Sequence, residues 1–133
     1  MGKKNLALII EANQGYIRNT DKNKNFSAQN NILFSAMTQT YIPLLNMMNR
    51  LRDEKISFKI GLVLCPAICE SFSDEEIINQ YIEHLDNLIT LGKKEIARCK
   101  KNEYFDQAQS CLDHIEKTKT DFTEKYSSDL LSF

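Results

Sequence analysis

Two short apolar runs, separated by one long helical pattern, constrain this chain more than any other feature. Residues 5–10 and 58–64 are each bounded by polar segments, which suits strands buried on both faces of a parallel sheet. Between them Met37, Tyr41, Leu44, Leu45, Met48 and Leu51 recur at helical spacing. The charged exit Arg50, Arg52, Asp53, Glu54 and Lys55 marks a solvated helix end. Pro43 interrupts the pattern: it has no backbone donor and crowds the preceding turn, so it should kink the helix or begin a second piece. The unit is β-α-β, whose crossover makes the two strands parallel.

Two long helices should follow. Ser73-Asp74-Glu75-Glu76 reads as a capping box with Ser73 as N-cap, ahead of Ile77, Ile78, Tyr81, Ile82, Leu85, Leu88, Ile89 and Ile96. Phe105, Ala108, Leu112, Ile115, Phe122 and Tyr126 predict the last helix. The chain then stops on Leu130-Leu131-Ser132-Phe133, an apolar end with neither Gly nor a polar tail, and reads as cut. A two-stranded parallel sheet also leaves open edges and little surface for three amphipathic helices. The expectation is therefore a single partial domain, residues 1–133, that opens a larger α/β barrel.

With 42% hydrophobic and 26% charged residues the composition is that of a globular protein. Seventeen basic and eighteen acidic side chains leave a net charge of −1, so charge selects neither nucleic acid nor membrane as a partner. The apolar run that ends at Glu11 is too short for a signal or a membrane span, and the chain is expected in the cytoplasm. Cys65, Cys69, Cys99 and Cys111 should then be reduced thiols, and no metal or cofactor is expected from their spacing with His84 and His114. Lys93, Lys94, Arg98, Lys100 and Lys101 form a basic run without interleaved aromatics, which suits helix-dipole compensation.

Parallel α/β folds gather ligands where strands end, which directs attention to residues 11–18 and 65–70. Each segment holds a carboxylate, Glu11 and Glu70, and the connection after Glu11 is long for an ordinary βα loop. As a pair these two acids would offer acid/base chemistry, although Glu70 equally suits the start of a turn or helix.

Several segments, taken in order, resemble the amino-terminal part of family 57 glycoside hydrolases, in the branch of 1,4-α-glucan branching enzymes and α-amylase-like proteins. They are Asn5-Leu-Ala-Leu-Ile-Ile-Glu-Ala-Asn-Gln-Gly-Tyr-Ile-Arg18, Ala36-Met-Thr-Gln-Thr-Tyr-Ile-Pro-Leu-Leu45, Leu51-Arg-Asp-Glu54, residues 58–66, and Tyr81-Ile-Glu-His-Leu85. The resemblance implies the β-α-β start of an incomplete (β/α)7 barrel, followed by two long helices. It also implies retaining action on α-1,4-glucans through a Glu nucleophile and an Asp acid/base, both on later strands. Where the family carries His-x-His and then Pro-Tyr, this chain reads Glu11, Asn13, Gly15 and Tyr16, and Ile32 replaces a Trp. Tyr16 and Arg18 are retained.

Glu11, Asn13 and Tyr16 are thus the candidate substrate-binding residues, and no catalytic residue is assigned. Glu11 and Asn13 can hydrogen-bond sugar hydroxyls, but a carboxylate alters the local charge where an imidazole stood. The expected function is that of a partial glucan-active domain, inactive alone, with α-glucan as ligand and the rest of the barrel or a second copy as partner. The alternatives are a non-catalytic interaction module or homo-oligomer on the same unit, and a glucan-binding remnant.

Overall fold

Parallel pairing of two four-residue strands joins segments that are about fifty residues apart in sequence. In the computed structural model, which describes residues 7–13, 28–100 and 102–132, β1 (Ile9–Ala12) pairs with β2 (Gly61–Leu64) in register from Ile9↔Gly61 to Ala12↔Leu64. The ladder extends past both ends: the Gly61 amide donates to the Leu8 carbonyl at 3.0 Å, and the Cys65 amide to the Ala12 carbonyl at 3.1 Å. The expected β-α-β unit is present, with strands shorter than the apolar runs. Pairing needs backbone partners and is indifferent to side-chain polarity, so β1 runs on through Glu11.

The strands are not buried on both faces. Ile9 is 69% exposed and Val63 50%. Side chains alternate across the pleat, so Ile10, Ala12, Leu62 and Leu64 share the side that meets the helices, while Ile9, Glu11, Gly61 and Val63 share the opposite, open side. With two strands in the sheet and helices on one side of it among the described residues, the apolar composition of the runs exceeds what these elements cover.

Helix α1 (Ala28–Ala36) passes through a π turn (Met37–Tyr41) into α2 (Ile42–Asp53). The wide turn lies directly before Pro43, and the Ile42 amide bonds back to the Met37 carbonyl. The expected kink thus takes the form of a π turn, which relieves the crowding that the proline ring would impose on a regular turn. After β2 come α3 (Pro66–Ser73), α4 (Glu75–Cys99) and α5 (Phe105–Thr120), then a second π turn (Asp121–Lys125).

The N-cap of α4 is Asp74 and not Ser73: its carboxylate accepts from the Glu76 amide at 2.9 Å. Ser73 still belongs to the last turn of α3, where its hydroxyl donates to the Cys69 carbonyl at 3.0 Å. Both residue types cap well, and the extra helix α3 decides between them. The last helix has a stop that its sequence does not signal. Ser127 and Ser128 adopt positive φ (50° and 60°), and the Ser128 amide bonds to the Phe122 carbonyl at 2.8 Å, so two serines stop the helix in place of glycine. Leu130 then turns back into the core at 7% exposure.

That core lies among the helices. Tyr81, Leu85, Phe122, Tyr126, Met37, Ile42 and Ile68 are the largest of its fully buried side chains. Tyr81 meets Phe122 edge-on at 5.0 Å and shares a 2.9 Å hydrogen bond with Thr38 of the first π turn. Gly92 allows Leu112 of α5 to come close to α4, since a Cβ there would stand 3.0 Å from Leu112 Cδ1. No helix among the described residues is long and apolar enough to cross a membrane.

The position of the cap can be tested by chemical denaturation. Asp74→Ala should cost about 1 kcal/mol by removing the α4 cap, whereas Ser73→Ala should stay within about 0.5 kcal/mol.

Candidate functional site

The ends of β1 and β2 open onto a cleft of about 280 Å³ between the sheet, α2 and the chain end. Its floor is Ile10, Ala12, Leu62 and Leu64, and its facing wall is Leu44, Leu45 and Met48 of α2. These positions follow from the two periodicities, alternate residues of each strand meeting one stripe of the helix. Leu62 and Leu64 remain 44% exposed, so the helix covers the floor only in part.

Glu11 and Asn13 both border this cleft at its edge and both are exposed, with Glu11 belonging to the open side of the sheet. Tyr16 lies outside the described residues. Glu70 does not join Glu11: it is exposed within α3, away from the cleft lining. Among the described residues no group of three or more His, Cys, Asp or Glu side chains is placed to hold a metal ion.

Tyr41 and Thr40, from the first π turn, also line the cleft, as do Leu130 and Leu131. Tyr41 packs edge-on against Phe72 at 5.6 Å, and burial, followed by the charge of Cys65, raises its phenol above the ordinary value of 10.0. In the sequence Tyr41 is one member of an apolar helical stripe and carries no sign of a cleft position. Pro43 is the one local signal, because the π turn it provokes rotates residues 40 and 41 relative to a regular helix. His84 is no part of the cleft. It stacks beside Phe34 at 5.3 Å, and burial lowers its pKa below 6.5.

Chemically the cleft is an apolar trough walled by the ring of Tyr41, with Glu11 and Asn13 at the edge where the strand ends. Such groups can orient a hydroxyl-bearing ligand by hydrogen bonds. A retaining glycosidase needs two carboxyl groups about 5–5.5 Å apart, and the described cleft lining contains one.

No family model matches the chain. The 1,4-alpha-glucan branching enzyme TK1436 of Thermococcus kodakarensis is 25% identical to it over 99 residues, 74% of this chain and 14% of that enzyme. The α-amylase AmyC of Thermotoga maritima matches with a TM-score of 0.83 at 28% identity, over 95% of this chain and 23% of its own length. A GH57-type branching enzyme of Pyrococcus horikoshii matches with a TM-score of 0.85 over the same shares of the two chains. At 17% identity that last likeness shows the fold alone. The chain thus spans 14% of the curated relative and 23% of each solved structure.

The surroundings of Tyr41 can be read by alkaline absorbance titration, with Tyr41→Phe as the reference. Tyr41 should ionise above pH 10.0. Because the folded chain holds this proton more tightly than the unfolded chain, the associated stability is complete below the unfolded value. It is lost as pH rises through the raised one, and Tyr41→Phe should lack that step.

Proposed function

The chain resembles family 57 glycoside hydrolases in sequence and fold, and from that premise we propose that it is the opening unit of an incomplete (β/α)7 barrel active in α-glucan metabolism. Residues 1–133 form one partial domain in this reading, of the branching-enzyme and α-amylase-like branch. The open side of the sheet carries it: Ile9 and Val63 are half or more exposed on a two-stranded parallel sheet whose helices, among the described residues, pack on the other side. In a closed barrel, the side of each strand away from the helices faces the interior, where neighbouring strands and layered side chains cover it.

On that side Glu11 looks into the barrel and Asn13 follows at the strand end, where ligands of such folds bind, and the family resemblance adds Tyr16 to them. These three residues contact sugar hydroxyls. The carboxylate of Glu11 and the amide of Asn13, standing where the family has imidazoles, weaken the grip on the substrate without supplying a catalytic pair. The nucleophile and the acid/base belong to later strands, so the chain alone is inactive and needs the rest of the barrel. A second reading, an interaction module or homo-oligomer, draws on the same open edges, with a second copy as the cover.

The isolated chain should release no reducing ends from amylose and leave its iodine stain unchanged, and turnover would overturn the assignment of inactivity. Val63→Glu, on the open side, should leave unfolding of the isolated chain within about 0.5 kcal/mol of the parent. It should abolish co-purification with a polypeptide carrying the later strands. If Val63→Glu instead dissolves a homodimer seen by light scattering, the second reading holds. Calorimetry with maltooligosaccharides at about millimolar concentration tests the sugar-binding residues, because a bound ligand must also raise the melting temperature.

A further inference from the structure

On the far side of α2 from the sheet, a groove of about 400 Å³ separates that helix from α5 and the second π turn. Arg50 comes from α2, His114 and Lys117 from α5, and Lys125 from the π turn, with Asp121 the one carboxylate in the lining. Arg50, Lys117 and Lys125 against Asp121 make a local excess of cations on a chain whose net charge is −1.

The excess is not neutralised by neighbours. Other cations close to α5 have carboxylate partners: Lys119 meets Asp86 at 2.5 Å and Lys93 meets Glu116 at 3.3 Å. No carboxylate pairs with Lys117 among the described residues. Lys125 is held by the neutral carbonyl of the Asn46 side chain at 2.7 Å, which orients the ammonium and leaves its charge intact. The nearest carboxylate to Arg50 is Glu54 at 3.9 Å, a long and largely exposed contact. The amide of Asn46 donates to Asp121 at 2.8 Å and so engages the groove's own acid. Asn46 thus holds the cation Lys125 and the anion Asp121 in place together.

We propose that this groove binds a small phosphoryl anion, with Arg50, Lys117 and Lys125 as its ligands. Three cations from three elements suit the three terminal oxygens of a phosphate monoester better than the two of a carboxylate. A guanidinium gives paired donors, and ammonium groups give point charges. The groove has room for the phosphate and part of whatever carries it. The inference is independent of the glucan reading and uses none of its residues.

The test is titration of inorganic phosphate into the full 133-residue chain at ionic strength held constant with sodium chloride, read as heat and as melting temperature. A saturable one-site isotherm is expected, weakened about tenfold or more in Arg50→Gln and in Lys117→Gln. Both side chains are exposed, so both variants should keep the parent circular dichroism. Lys94→Gln, exposed and outside the groove, should bind like the parent. Absence of a saturable signal, binding as tight as the parent's in both the Lys117→Gln and Arg50→Gln variants, or a melting shift reproduced by chloride would each overturn the proposal. Vesicles containing phosphatidic acid identify the source. Binding that inorganic phosphate displaces supports the site with a lipid headgroup as carrier, whereas vesicle or RNA binding that phosphate does not displace overturns it.

Discussion

Tyr81 holds the helical layer together because a phenol at the centre of an apolar core tolerates few arrangements. Its ring is fully buried between Phe34 of α1 and Phe122 of the second π turn, and its hydroxyl is satisfied by Thr38 of the first. Burial pushes its pKa up to about 12, so it stays a neutral hydrogen-bonding group. A buried hydroxyl without a partner would cost about 1–3 kcal/mol, so the π turn that brings Thr38 into range is a condition of the packing. Both π turns therefore act in the core, each delivering one residue to the same ring.

The helical layer and the sheet are unequal partners. Tyr81, Leu85, Phe122 and Tyr126 bury themselves among helices, while the sheet keeps one side open and the other only partly covered. An apolar sheet beside a well-packed helical layer fits a chain that spans less than a quarter of the amylase and branching-enzyme structures it resembles in fold. The cleft and the basic groove lie on opposite sides of α2, so that one helix walls a cleft at the strand ends and a charged surface behind it.

Glu11 and Asn13 could be named as cleft residues from the sequence because a strand end in a parallel α/β unit is a place dictated by topology. Tyr41, Thr40, Leu130 and Leu131 could not. Tyr41 reads as one more member of an apolar stripe, and the two leucines reach the cleft only because Ser127 and Ser128 reverse the chain. The cap of α4 falls one residue later than the sequence pattern indicates, for a related reason. Ser73 and Asp74 are both good caps, and the choice was made by α3, a helix with no strong periodic signal of its own.

By itself the sequence determined the parallel β-α-β unit, the two long helices after it and the break at Pro43. These rest on period, proline geometry and the length of the crossover, all local properties of the chain. Only the tertiary structure decided that the strands have an open side, that the proline break becomes a π turn, and that the chain end folds into the core. Those outcomes depend on how many strands share the sheet and which helix faces meet, and no single segment encodes them.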